Sequence, residues 1–138
     1  MTRAVSAEQV TQRLADLPAD IPALELLVLF GSAAKGRAGA GSDVDLAVRC
    51  EGAADVDALY LAIAPRLATD RFDLVDLRRA GPLLAFEVAR TGKLLFERRP
   101  GAFRVFQSLA SRRYCDTEKL RRSPRRAIQL FLERAGLA

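Results

Sequence analysis

The sequence predicts an α/β fold in which short strands and helices are interspersed along the chain. Four runs of five to eight residues are apolar or alternate between apolar and polar, which is typical of strands, and the segments around them repeat apolar residues at helical spacing. A length of 138 residues, half of them apolar, suits one core and is too short for two ordinary domains. We therefore expect a single domain over residues 1–138, with a core at about 20–97 and a helical tail at 98–138.

The first element is a predicted helix in "SAEQVTQRLADL", residues 6–17. Ser6 and Gln9 have the spacing of a capping box, in which each residue satisfies a free backbone N–H of the other. Apolar residues follow at helical spacing, at Val10, Leu14 and Leu17. We expect this helix to end at Pro18, because proline interrupts a helix interior.

Two strands are predicted next. The run "ALELLVLF", residues 23–30, is continuously apolar and bounded by Pro22 and Gly31, which suits a strand covered on both faces. The run "DVDLAVRC", residues 43–50, alternates instead. One face carries Val44, Leu46 and Val48, and the other carries Asp43, Asp45 and Ala47.

The remaining pattern predicts helices and strands in alternation. Residues 53–68 are helical with Pro65 near the end, "RFDLVDL" at 71–77 is a strand, "GPLLAFEVARTG" at 81–92 is a short helix, and "KLLFE" at 93–97 is a strand. From Gly101 the spacing is helical again, and Ser123-Pro124 is a suitable start for a last helix.

Composition limits the chemistry that this chain can perform. It contains no histidine, which excludes Ser-His-Asp and Cys-His catalysis and the usual zinc sites. Cys50 and Cys115 have no partner motif, so we expect buried or idle thiols. No apolar run approaches the roughly 20 residues of a membrane span, and the first residues lack a signal-peptide core, so we expect a soluble cytoplasmic protein.

The second strand raises a question of charge. Side chains two apart on a strand point the same way, roughly 6 to 7 Å apart, so Asp43 and Asp45 repel each other. A hard cation between them resolves the repulsion, and Mg²⁺ prefers a few carboxylates together with substrate phosphates. An edge strand with two solvated aspartates is the alternative interpretation of an isolated D-x-D.

The loop before this strand points to phosphate binding. Gly31-Ser32 follows the first strand directly, where glycine allows close backbone approach and Ser32 can open a phosphate-binding turn. Lys35 and Arg37 add positive charge within reach of a triphosphate. In the third strand, Asp73 supplies a third carboxylate that would complete a site for two divalent ions, and we prefer it to Asp76, which alternation places on the other face.

The stretch "GSAAKGRAGAGSDVDL" resembles the signature of the DNA polymerase β nucleotidyltransferase superfamily, in particular its minimal nucleotidyltransferases. The resemblance implies a mixed sheet flanked by helices, two Mg²⁺ ions and ATP as substrate. It implies that Asp43 and Asp45 bind both ions and that Asp73 binds one of them and orients the attacking hydroxyl. The residues implied in nucleotide binding are Gly31, Ser32, Lys35, Arg37 and Ser42.

The resemblance also implies a partner. Many minimal nucleotidyltransferases are antitoxins that transfer AMP from ATP to a tyrosine of a HEPN-domain toxin. A chain without an obvious second substrate-binding domain must take its acceptor from elsewhere, such as a protein surface. The alternatives are a non-catalytic antitoxin that acts by association, and a transferase whose acceptor is RNA or a small molecule. A binding-only protein has no physical reason to retain repelling carboxylates, which favours the enzyme.

The tail from Arg98 onward is strongly basic, with eleven Lys or Arg against three acids in a chain of net charge +5. Its arginines include four adjacent pairs: Arg98-Arg99, Arg112-Arg113, Arg121-Arg122 and Arg125-Arg126. Three interpretations remain open: a docking helix for an acidic partner, an RNA-contacting surface and a solvated helix face.

Overall fold

The protein is described here by a computed structural model that covers residues 5–31, 44–117 and 125–136. Four strands form one mixed sheet in the order β3-β2-β1-β4. The strands are β1 (Leu24–Phe30), β2 (Val44–Cys50), β3 (Phe72–Asp76) and β4 (Lys93–Glu97). Strand β1 is antiparallel to β2 and to β4, whereas β2 and β3 are parallel. The four predicted strands and the mixed sheet are confirmed.

Helices cover both faces of the sheet. They are α1 (Ala7–Arg13), α2 (Leu17–Asp20), α3 (Val56–Leu67), α4 (Pro82–Thr91), α5 (Ala102–Asp116) and α6 (Arg125–Arg134). None of the helices in the described ranges is long and apolar enough to cross a membrane.

Strand β1 is buried on both faces, as its continuous apolar run predicts. Leu27 and Leu29 lie in a hydrophobic cluster with residues of α1 and α3, whereas Leu26 and Val28 lie in a second cluster with residues of α4 and α5. Both clusters consist mainly of aliphatic side chains that are removed from water, the dominant favourable contribution to folding. The sheet is therefore the middle layer of a three-layer arrangement.

The structure confirms the start of the first helix and corrects its end. The Ser6 side chain accepts a hydrogen bond from the Gln9 backbone N–H at 3.2 Å, and the Gln9 side chain accepts one from the Ser6 N–H at 3.0 Å, so the capping box is present. The expectation that the helix ends at Pro18 was wrong, since α1 ends at Arg13. Pro18 lies in the first turn of α2, where its missing N–H costs nothing.

The described part of the tail contains two helices, of which α5 joins the core. Phe103, Phe106 and Ala110 of α5 are buried in the cluster that contains α4. Helix α6 begins at Arg125, and the predicted start at Ser123-Pro124 lies outside the described residues.

The two cysteines are both free. Cys50 is buried at the end of β2, and this burial raises the pKa of its thiol. Cys115 is exposed on α5. A buried thiol with a raised pKa is a poor nucleophile, which agrees with the predicted idle role of Cys50.

Candidate active site

Two of the predicted carboxylates are neighbours across the sheet. The parallel pairing of β2 and β3 places Asp45 directly opposite Asp73. Paired residues of parallel strands project to the same face, and adjacent strands lie about 4.8 Å apart. Asp45 shares its face with Ala47, which is buried beneath α4 and α5, while Val44 and Leu46 face the other layer. The alternation predicted for β2 is therefore present, and both carboxylates belong to the α4 side of the sheet.

Asp76 has a different place. It is paired with Val48 rather than with Asp45, three residues further along β3. Its carboxylate accepts a hydrogen bond from the Arg78 N–H at 3.1 Å, and its carbonyl accepts one from the Arg79 N–H at 3.0 Å. Asp76 therefore stabilises the turn that ends β3, at the opposite end of the strand from Asp73.

Gly31 ends β1 beside the carboxylates. Its φ of +75° is in the left-handed region, which side chains other than glycine rarely adopt. The residue before it, Phe30, is paired with Asp45 across the sheet. A Cβ on Gly31 would clash with the Oδ2 atom of Asp45 and would lie 3.2 Å from its Cγ. Glycine is required here for two independent reasons, the backbone conformation and the approach of the Asp45 carboxylate.

Gly31, Asp45 and Asp73 line one cavity of about 290 Å³. Its walls also include Tyr60 from α3, whose ring stacks on that of Phe72 with the centroids 4.8 Å apart. The remaining lining residues come from strands β1 and β3 and from helices α4 and α6: Phe30, Leu74, Val75, Leu84, Glu87 and Arg134. The cavity is thus a carboxylate-bearing cleft at one end of β1, β2 and β3.

The predicted site also includes residues of the segment between β1 and β2. Ser32, Lys35, Arg37, Ser42 and Asp43 lie outside the described residues. Within the described ranges no three acidic, histidine or cysteine side chains converge as a metal site. Asp45 and Asp73 are two such groups, and Asp43, two residues before Asp45, is the predicted third.

Three side chains of the cavity wall that carry polar groups were not predicted from the sequence: Tyr60, Glu87 and Arg134. Arg134 Nη2 donates to Glu87 Oε2 at 2.7 Å, so the end of α6 is joined to α4 at the edge of the cavity. Local pattern carries no signal for such a pair, since the two residues are 47 positions apart. The excess of arginine in the tail was the only hint.

Other arginines of the tail have structural partners. Arg98 Nε donates to the Leu24 carbonyl at 2.8 Å, and its guanidinium lies 5.1 Å from the centre of the Phe96 ring. Arg113 Nη2 donates to the Ala80 carbonyl at 3.4 Å. The predicted docking or RNA-binding role of the tail stays a prediction. Arg121 and Arg122 lie outside the described residues, as do the side chains of Arg125 and Arg126.

The fold and the paired carboxylates next to a glycine turn are those of a nucleotidyltransferase. The family model described as Polymerase beta, Nucleotidyltransferase matches residues 12–100. The chain belongs to the polymerase beta nucleotidyltransferase family, and the predicted resemblance is confirmed.

Curated relatives are more specific. The chain is similar to protein adenylyltransferase MntA of Aphanizomenon flos-aquae (strain 2012/KM1/D3), with 33% identity over 131 residues that span 85% of this chain and 86% of the relative. It is also similar to protein adenylyltransferase MntA of Shewanella oneidensis, with 39% identity over 80 residues, 56% of this chain and 57% of the relative.

Solved structures agree with the sequence relatives. A crystal structure of a toxin–antitoxin with AMP-PNP matches with a TM-score of 0.69 and 29% identity, covering 88% of this chain and 97% of the other. A re-refined structure of tri-AMPylated Shewanella oneidensis HEPN toxin in complex with MNT antitoxin matches with a TM-score of 0.65 and 29% identity, covering 91% and 97%. The predicted polymerase-β-like fold is confirmed.

Proposed function

We propose that this chain is a protein adenylyltransferase that transfers AMP from ATP to a hydroxyl, specifically a tyrosine hydroxyl, of a partner HEPN toxin and so acts as its antitoxin. One observation carries the proposal: Asp45 and Asp73 are paired in register in a cleft bounded by Gly31. Support for the acceptor comes from the similarity to adenylyltransferases over 85% of the chain and to an antitoxin in complex with an AMPylated toxin.

The carboxylates fit a divalent cation. Asp45 and Asp73 carry like charges on adjacent strands, and carboxylate oxygens are the ligands that Mg²⁺ prefers. In this proposal Asp43, Asp45 and Asp73 would hold two Mg²⁺ ions. When bound, such ions neutralise charge that develops on the transferring phosphoryl group.

The residues of the chain then have distinct tasks. Asp73 would orient the acceptor hydroxyl and accept its proton. The hydroxyl oxygen forms a bond to the α-phosphorus while the bond from that phosphorus to the bridging oxygen of the β-phosphate breaks, and pyrophosphate leaves. Gly31 has no Cβ and would let the backbone approach the phosphates closely. Ser32, Lys35, Arg37 and Ser42 would complete the nucleotide contacts. Positioning supplies most of the rate enhancement in this chemistry.

Two further expectations belong to the proposal. We place the protein in the cytoplasm, where ATP is available to it. We also propose that the whole chain forms one domain, since α5 contributes Phe103 and Phe106 to the same cluster as Leu26 of β1.

The experiment that tests the function uses the purified protein, its co-encoded HEPN partner, Mg²⁺ and ATP radiolabelled at the α-phosphate. Label should appear on the partner. Asp45→Asn should reduce the labelling by about a hundredfold or more, because the site loses a carboxylate that would bind Mg²⁺. Asp76→Asn is the matched control. It also removes one carboxylate charge, but at the end of β3 away from Asp73, and it keeps an oxygen for the Arg78 N–H.

The alternatives give different results in the same experiment. Equal labelling by Asp45→Asn and by the unmodified protein would refute the assigned site. A partner that is neutralised but never labelled would indicate an antitoxin that acts by association. Label on added cellular RNA, and none on protein, would assign an RNA acceptor.

A further inference from the structure

The last helix is attached to the fold through a buried carboxylate. Glu133 of α6 is only 4% exposed, and its Oε2 accepts a hydrogen bond from the Leu84 N–H at 2.9 Å. Leu84 lies in the first turn of α4, where N–H groups have no partner within the helix and the helix dipole favours negative charge. The residue that precedes α4, Gly81, has no side chain to accept from these groups. Glu133 therefore caps α4 from 49 positions away.

The surroundings of this carboxylate are shaped to hold it. A Cβ on Gly81 would lie 2.5 Å from both Cγ and Oε1 of Glu133, so the contact depends on glycine at that position. The other oxygen, Oε1, accepts from Gln129 Nε2 at 3.4 Å, one turn earlier on α6. Both carboxylate oxygens are engaged, and the end of α6 is held against the start of α4.

This attachment brings the next residue to the active-site cleft. Arg134 lines the cavity that contains Asp45 and Asp73, and its side chain is 56% exposed. Its Nη2 group is held by Glu87 of α4 at 2.7 Å. Among the cavity-lining residues in the described part of the chain, Arg134 is the one cation beside three carboxylates.

The charge of the cleft indicates what this cation does. The phosphates of a nucleotide are polyanionic, so besides the metal ions proposed at Asp45 and Asp73 they are favoured by positive charge from the protein. A guanidinium carries five N–H donors in a planar fork that matches phosphate oxygens, and Glu87 engages it through Nη2 alone. The ion pair with Glu87 fixes the fork while its exposed part can meet a ligand.

We propose that Arg134 is a phosphate-binding residue, held at the cleft by the buried Glu133 cap of α4, that positions the nucleoside triphosphate. This rests on the proposed function, because it takes ATP as the substrate. It gives the basic tail a role within the site itself. Among the described residues, the nucleotide site then combines the strand carboxylates with the last described helix, α6.

Equilibrium binding of a non-hydrolysable ATP analogue, with Mg²⁺ present, tests the proposal. Arg134→Gln should bind the analogue about ten- to a hundredfold more weakly, the usual effect of losing a charge-assisted hydrogen bond. Arg134→Lys should recover part of the affinity, since it keeps the charge and loses the fork. The control is Arg90→Gln, which removes a cation of α4 that lines a neighbouring cavity without Asp45 or Asp73.

Transfer kinetics supply a second readout. Arg134→Gln should raise KM for ATP and leave KM for the partner unchanged, whereas a role in holding the acceptor would give the reverse. Analogue binding by Arg134→Gln equal to that of the unmodified protein, in a protein that still transfers AMP, would overturn this inference alone. An unmodified protein that neither binds the analogue nor labels its partner would overturn the proposed function and this inference together.

Discussion

Helices α4 and α5 both begin directly after a glycine, and both obtain their N-terminal cap from a glutamate elsewhere. At α5, Glu97 accepts hydrogen bonds from the Gly101 and Phe103 N–H groups, each at 2.9 Å. At α4, Glu133 accepts from the Leu84 N–H at the same distance. The local bonding is alike, since a carboxylate satisfies free N–H groups at the positive end of a helix dipole.

The two caps differ in how far they reach and in what they hold. Glu97 is four and six residues from its donors and is only partly buried, so this cap can form within one local segment of the chain. Glu133 is 49 residues from Leu84 and is buried, so this cap forms only when α6 is packed against α4. A local cap stabilises one helix, whereas a distant buried cap also connects a helix end to the candidate active site.

Removing the distant cap should have the largest effect. Glu133→Ala leaves the Leu84 N–H without its acceptor and a void beneath α6, and we expect a loss of about 3 kcal/mol in the free energy of unfolding. ATP-analogue affinity should fall as far as in Arg134→Gln, because α6 is no longer held. Urea unfolding and equilibrium binding measure the two effects.

Glu133→Gln is the control for that variant. It retains a side-chain oxygen for the Leu84 N–H and should keep most of the stability and of the affinity. Glu133→Ala with unaltered stability would contradict the assigned cap, and unaltered affinity would separate α6 from the nucleotide site.

Crowding the same contact should have a smaller effect. Gly81→Ala introduces a Cβ into the space of the Glu133 carboxylate, and displacement of that group should cost about 1 kcal/mol for the weakened hydrogen bond. In a Glu133→Ala background the same substitution should cost almost nothing, because the obstructing side chain is gone. Simple additivity of the two changes in urea unfolding would show that the contact is unimportant.

Removing the local cap of α5 should reduce the stability less than removing the distant cap of α4. Glu97→Ala frees the Gly101 and Phe103 N–H groups, but the Gly101 N–H is exposed to water and Glu97 is only partly buried, so the loss of stability should be less than half of that in Glu133→Ala. Nucleotide affinity should not change, since neither Glu97 nor the start of α5 lines the cleft. An affinity loss in this variant would mean that any destabilised helix weakens the site, and that α6 has no special connection to it.

The smallest effect is the pH dependence of the local cap. Hydrogen bonds from Phe103 and Gly101 lower the pKa of Glu97 in the folded protein. Its contribution is therefore complete above the unfolded-state pKa of about 4.3 and is lost as pH falls through the lowered folded-state pKa. The stability difference between the unmodified protein and Glu97→Gln should be constant above about pH 5 and shrink below it.

The difference in stability between the two proteins separates the contribution of Glu97 from those of other acids. The pKa of Asp16 is also lowered, by its hydrogen bond to Arg66, but it titrates equally in both proteins. Urea unfolding at a series of pH values is the measurement. A stability difference that does not vary with pH would show that the Glu97 carboxylate is not selectively stabilised in its charged form.

Local patterns predicted most of the fold. The short buried runs around Leu27 and Leu46 predicted strands correctly, because a strand of this length shows its faces in its own residues. The end of α1 was missed since Pro18 is compatible with the first turn of a new helix as well as with the end of an old one. A proline indicates a helix boundary but does not indicate which side of the boundary is helical.

The candidate site divides in the same way. Asp45 and Gly31 were predicted from their spacing because they lie at the adjoining ends of two consecutive strands, and Asp73 was preferred to Asp76 from alternation alone. Glu87 and Arg134 were not found, since their partnership depends on where α6 docks.

The strands, their buried faces and the capping box of Ser6 follow from the order of the residues, because each depends on neighbours a few positions apart. The position of Asp45 opposite Asp73, the Glu133 cap of α4 and the presence of Arg134 at the cleft emerge only on folding. These contacts join residues 28 or more positions apart, so they depend on the packing of whole helices and strands against one another.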